Sequence, residues 1–174
     1  GPHAGADAGA AALSSGGRMV EAQTISEAQV WEWLEDVPDP EIPVISVVDL
    51  GVIRDVDVSD EVVTVTITPT YSGCPAMSII SLDVELALAK RGLEKVHFKT
   101  RLSPAWTTDW LSEKGRASLE DYGIAPPQPA GGPERCPHCQ SKNVEKVSQF
   151  GSTACKAQWR CHDCLEPFDY FKCI

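Results

Sequence analysis

The sequence has no apolar run approaching the roughly 20 residues that a membrane-spanning helix needs. It lacks a secretory signal as well, because its alanine- and glycine-rich start has no apolar core flanked by basic residues. Positive charge is scarce: 15 Lys and Arg stand against 25 Asp and Glu, a net charge of -10. A phosphate-binding surface needs a basic field, so a nucleic-acid partner is not expected. The only glycine-rich stretches are the leader and a later linker, neither of them built like a phosphate loop. No Ser/His/Asp arrangement stands out, and no catalytic residue is assigned. These absences point to a cytoplasmic protein without membrane or nucleic-acid contacts and without a self-contained active site.

Cysteine is what the sequence has in excess, and its distribution is uneven. None precedes Cys74, and the other six of the seven start at Cys136. A secreted disulfide scaffold would spread its cysteines along a signal-bearing chain. Here "CPHC" (Cys136, Cys139) and "CHDC" (Cys161, Cys164) form two C-x-x-C knuckles. Each knuckle turns two sulfurs toward one ion, and two knuckles complete a tetrahedron of thiolates. The expectation is a structural zinc site, with a rubredoxin-type iron or an Fe–S cluster as the alternative for four thiolates. His138 and His162 lie inside the knuckles and are expected to be exposed. From Glu134 onward, six Lys/Arg meet five Asp/Glu. Four thiolates and a divalent ion turn that balance slightly negative, which again disfavours phosphate. Cys155 and Cys173 are left over, as buried fillers, redox-active thiols or extra soft ligands.

The 174 residues suffice for one domain and a small module. Residues 1–22 read as a processing scar or flexible leader, with the fold starting near Met19. "SEAQVWEWLEDV" reads as a helix capped by Ser26, with Val30, Trp33, Leu34 and Val37 on one face. "PDPEIP" stops it. "GVIRDVDVSDEVVTVTITP" reads as a hairpin turning at Ser59–Asp60, with Val63, Val65 and Ile67 sharing a face. A helix from Pro75 to about Arg91 ends at Gly92, "KVHFKTRL" makes a third strand, and a helix capped by Thr107 or Thr108 follows. The fold class is therefore α+β: a small α/β sandwich with a mixed three-stranded sheet, then a β-rich four-cysteine zinc ribbon. The expected boundaries are 23–123 for the domain, 124–134 for a Pro/Gly linker and 135–174 for the ribbon.

Cys74 stands where an apolar helix begins, in "TPTYSGCPAM". A side chain there meets unpaired backbone N–H groups and the positive end of the helix dipole, both of which favour a thiolate. Pro75 suits the first helical position, and Gly73 permits a tight turn. The residues fit an activated thiol or soft-metal site, and equally a cysteine that fills a gap under the helix. Asp39 and Glu41 in "DPEIP" either serve a site near Cys74 or cap a loop. "EKVH" (Glu94, His97) has the Glu-x-x-His spacing of di-iron proteins but sits singly on a strand, so it is set aside.

"DPEIP…VVDLGVIRDVDV…VTVTITPTYSGCPAM" resembles the SufT-like Fe–S assembly domain family. "SPAWTTDWL", "CPHC", "FGSTACKA", "CHDC" and "EPFDYFKC" resemble the PaaD (PaaJ) branch of phenylacetate catabolism, over about Ser26 to Cys173. The resemblance implies an Fe–S or thiol site of Asp39, Glu41, Thr70 and Cys74, and ribbon ligands Cys136, Cys139, Cys161 and Cys164. It assigns no role to Tyr71 or Ser72. It implies a role beside the phenylacetyl-CoA epoxidase (ring 1,2-monooxygenase), in maturing its Fe–S or iron centres, with the ferredoxin-type reductase as client. One thiolate cannot hold a cluster, which normally takes four ligands. Any Fe–S unit is then transient, shared with a client, or bridged across a homodimer. The rival readings are a structural subunit of the oxygenase and a rubredoxin-like electron carrier.

Overall fold

The computed structural model describes residues 24–172, so Met19, the leader and Cys173 lie outside the described residues. Helix α1 spans Glu27–Leu34. It starts in a capping box: the Ser26 hydroxyl accepts from Gln29 N–H at 3.3 Å, and the Gln29 side chain accepts from Ser26 N–H at 3.0 Å. Val30 and Leu34 face the core. The chain then winds through a loop rich in buried apolar residues, among them Val37, Ile42, Ile45, Val47 and Leu50. Backbone bonds close this loop on itself, from Asp39 N–H to the Ile45 carbonyl (2.8 Å) and from Val47 N–H to the Val37 carbonyl (2.9 Å). Gly51 ends it at φ +79°, and a Cβ there would lie 2.7 Å from Trp110. Only glycine tolerates both constraints.

Strands β1 (Ile53–Ser59) and β2 (Val62–Ile67) form the expected hairpin. The turn lies one residue later than expected. Ser59 pairs with Val62, and Asp60 and Glu61 take φ +50° and +64°. A two-residue turn with both φ positive matches the twist of the strands it joins. A bulge between Ile53 and Asp55 resets the alternation, so Ile53 and Val56 are both buried. Helix α2 (Ala76–Ala89) crosses over to β3 (Lys95–Thr100), which pairs parallel to β2. The order is β1-β2-β3, a mixed sheet. α2 lays Ala76, Ile80, Val84 and Leu88 on the core, a four-residue spacing that keeps one face inward. Its outer face leaves Ile79, Leu82 and Leu86 exposed.

The last expected helix divides in two. A 3-10 turn, Thr108–Trp110, is capped by Thr107. The chain then extends at Leu111, whose side chain is buried, and α3 (Glu113–Asp121) starts afresh with Ser112 as its cap. The Ser112 hydroxyl also donates to Asp49 at 2.6 Å, which ties α3 to the packed loop.

The stretch expected to be spacer begins with a short strand, β4 (Ile124–Ala125), buried and parallel to β7 (Pro167–Phe171). With β5 (Val144–Ser148) and β6 (Lys156–Cys161) they form a second sheet, ordered β4-β7-β6-β5. Cys155 and Phe171 are buried in the same core as the first sheet. The Phe171 ring meets Trp106 edge-on, with centroids 6.0 Å apart. The second sheet is therefore docked on the first domain, through Phe171 of β7 and through Cys155 just before β6.

Candidate functional site

Two centres emerge. The first is the group of four ribbon thiols. Cys136, Cys139, Cys161 and Cys164 have their sulfurs within 4.8 Å of one another. The Cys136–Cys164 and Cys139–Cys161 separations are 3.8 and 3.5 Å. Four thiolates at about 2.3 Å from a tetrahedral zinc lie about 3.8 Å apart, so the donor set fits such an ion. Backbone amides brace the sulfurs: His138 N–H points at Cys136 Sγ at 3.4 Å. The amides of Cys164 and Asp163 help lower the Cys161 thiol to about 7. The Asp163 carboxylate accepts from Asn143 at 2.9 Å and from the Ser141 hydroxyl, joining the two knuckles behind the sulfurs. His138 and His162 are exposed, as expected. His162 lies 3.3 Å from Glu145.

The second centre is a pocket at the start of α2. A turn closed by Cys74 N–H on the Tyr71 carbonyl (3.2 Å), with Gly73 at φ +76°, presents Cys74 just before Pro75. Pro75 serves as the cap of α2, which places Cys74 one step outside the helix. Cys74 is half-buried, and the Thr70 hydroxyl donates to its sulfur at 3.9 Å. Asp39, which lines the same pocket, is buried. Its Oδ1 accepts from Glu41 N–H (2.9 Å) and Ile42 N–H (2.8 Å). Desolvation pushes its carboxyl above the ordinary range, partly offset by those two amides. Glu41 is half-buried beside it. Asp39, Glu41, Thr70 and Cys74 thus line one pocket, floored by Ile42, Ala76 and Ile80.

Two further lining residues come from the ribbon: Cys155 and Phe171. Cys155 is buried, its sulfur 4.0 Å from Glu41 Oε2 and 3.0 Å from the Thr153 hydroxyl, and burial raises its thiol. In sequence Cys155 has several possible roles; its spacing from the knuckles carries no signal that it faces Glu41. Tyr71, given no role, reaches the Cys74 side chain. Its phenol is raised by desolvation first and then by the neighbouring Cys74. Glu94 and His97 stand exposed at the edge strand β3, away from both centres.

Comparison with known proteins follows the same division. The profile of the iron-sulfur cluster assembly protein family matches residues 27–97, and that of the PaaD zinc beta ribbon domain matches residues 128–172. The chain is 47% identical over 154 residues to an Escherichia coli K12 protein described as a component of 1,2-phenylacetyl-CoA epoxidase. That match covers 84% of this chain and 92% of the relative. The chain belongs to the PaaD family. PaaD kinship spans both sheets, whereas shorter relatives match about half of the chain. A Porphyromonas gingivalis protein named Fe-S protein maturation auxiliary factor is 40% identical over 96 residues, 54% of this chain and 90% of its own. A crystal structure of the domain of unknown function DUF59 from Bacillus anthracis superposes with a TM-score of 0.50 at 28% identity. It covers 53% of this chain and 90% of that one. Among the described residues no helix is long and apolar enough to cross a membrane.

Proposed function

We propose that this protein is an accessory factor of a multicomponent phenylacetyl-CoA epoxidase and helps assemble or maintain its Fe–S or iron centres. One observation carries the reading. Asp39, Glu41, Thr70 and Cys74 converge on a single pocket in a chain akin to a PaaD-type protein over most of its length. The match of residues 27–97 to the iron-sulfur cluster assembly family, and the likeness of the chain to Fe–S maturation factors, support the chemistry. A thiolate flanked by carboxylates offers soft and hard donors to iron but falls short of the four ligands of a stable cluster. Such a site holds iron long enough to pass it on. The client is the ferredoxin-type reductase of the epoxidase, reached in the cytoplasm, where thiols stay reduced. In the ribbon, Cys136, Cys139, Cys161 and Cys164 hold zinc, a closed site that folds the module and performs no chemistry.

The test is co-production of this chain with the epoxidase subunits, under anaerobic purification. Cys74→Ala is expected to leave this chain folded and zinc-loaded while the reductase carries less iron and the epoxidase loses activity. The rival reading, a structural subunit, draws on the packing of Cys74 against the apolar core. A fully metallated and fully active epoxidase with Cys74→Ala would establish that rival.

A further inference from the structure

Cys155 belongs to the ribbon half of the chain yet faces the pocket of the assembly half. It packs in the apolar core, as a filler cysteine does. Two polar groups nevertheless face its sulfur, the Thr153 hydroxyl and the Glu41 carboxylate, and a filler has no need of a carboxylate. Here a thiol and a carboxylate oxygen sit 4.0 Å apart, in the pocket that also receives Cys74. One ion holding a thiolate at about 2.3 Å and a carboxylate oxygen at about 2.1 Å would separate them by about 3.6 Å. A small side-chain rotation closes that difference. Among the described residues only the ribbon thiols are already gathered within 4.8 Å of one another. The pocket donors are spread around its wall.

We propose that the ribbon completes the Cys74 site by supplying Cys155 as a second thiolate, so that Cys74, Cys155 and Glu41 together take a thiophilic iron ion as cargo. This rests on the iron-handling reading above and deepens it by naming the ligand set. On binding, both thiols release their protons, and the metal–sulfur bonds form without any change of oxidation state. Two thiolates and one carboxylate leave at least one coordination position of a four-coordinate ion open, through which a client can take the metal. The docking of the ribbon then has a chemical purpose beyond stability.

Cobalt(II) is a suitable probe, because each cobalt–thiolate bond contributes a near-ultraviolet charge-transfer absorption. The full chain, its ribbon loaded with zinc, is titrated with Co²⁺, and retained zinc is checked by metal analysis. The proposal expects one further equivalent with the intensity of two thiolate bonds. Cys74→Ser and Cys155→Ser should each halve that intensity. Each should also weaken binding by more than the roughly 10- to 100-fold that losing a mere supporting partner costs a metal site. Glu41→Gln should weaken binding with the intensity kept. Wild-type binding by Cys155→Ser, or one-thiolate intensity in the unmodified chain, would overturn the proposal. The second readout needs no variant and stands even if Cys155→Ser fails to fold. Loss of cobalt at Cys74→Ser alone would refute the role of Cys155 and leave the function intact. Two-thiolate binding alongside an epoxidase indifferent to Cys74 would refute the function and leave this site standing.

Discussion

Trp106 and Phe171 meet edge-on, with ring centroids 6.0 Å apart and planes at 71°, and through them the ribbon sits on the assembly domain. Trp106 is fixed from behind, its indole N–H donating to the Leu50 carbonyl at 3.0 Å. Phe171 comes from β7 and is almost fully buried. Phe171→Ala is expected to cost about 3–5 kcal/mol, the range for deleting a buried aromatic ring. Phe171→Leu should cost less, since it leaves a smaller void. Denaturant unfolding followed by tryptophan fluorescence checks both. An alanine variant as stable as the wild type would mean that the sheets are held together elsewhere.

Metal removal acts on the same joint from the other side. Cys136 is buried and pairs across the group with Cys164. Cys136→Ser, or chelation of the wild type, should release the ribbon metal and melt β5–β7. The first domain is expected to survive this. The packing of Cys155 and Phe171 into its core adds a measurable loss in its melting temperature. Limited proteolysis of the metal-free protein should cut within residues 129–134, where Pro129, Ala130 and Gly131 are exposed, and spare the paired Ile124–Ala125. Cleavage at Ile124–Ala125 in the metal-loaded protein would contradict the β4–β7 pairing.

Asp39 gives a pH test. Its carboxyl is raised chiefly by desolvation, with Glu41 adding to the rise and Lys156 opposing it. A carboxyl with a raised folded-state pKa binds its proton more tightly in the folded than in the unfolded chain. Its stabilising contribution is complete below the ordinary carboxylate range and disappears as pH rises through the raised value. At pH 7 the buried charge is therefore a cost. Asp39→Asn keeps an oxygen to accept from Glu41 and Ile42 N–H but cannot ionise. It should be more stable than the wild type at pH 7, with the advantage fading as the pH falls through the carboxylate range. Asp39→Ala orphans both amides and should cost about 1–3 kcal/mol. Urea midpoints at two pH values decide. If asparagine is the weaker residue at pH 7, the ionised carboxylate is being stabilised by a cation.

Much of this was legible in the sequence wherever the cause is local. Ser26 as the cap of α1, Gly92 at the end of α2, and the alternation of Val63, Val65 and Ile67 all act within a few residues, and each does what its pattern implies. The paired knuckles were legible for the same reason, because each closes its own turn. The misreadings arise where distant packing prevails. A single helix through Trp110 and Leu111 fits the propensities, but burying Leu111 demands an extended residue there. Ile124 and Ala125 resemble spacer beside so many prolines and glycines, yet they find a strand partner more than forty residues on, in Asp169 and Tyr170. Asp39 and Glu41 near Cys74 are one of two open readings of the residues, and the full group with Thr70 comes from resemblance to a family. That Cys155 joins them is a matter of how two sheets dock, which no local signal encodes.

The position of β7 between β4 and β6 also sets an order of manufacture. A ribosome delivers the first sheet and Cys74 early, and they can fold while the rest is still being made. The ribbon sheet has no centre until Pro167–Phe171 emerges, and Phe171 forms part of the pocket wall. A nascent or truncated chain therefore carries an exposed Cys74 but an unfinished site. Only a chain translated through β7 can complete the wall that Cys74, Cys155 and Phe171 share, which makes the pocket a record that synthesis has run to that point.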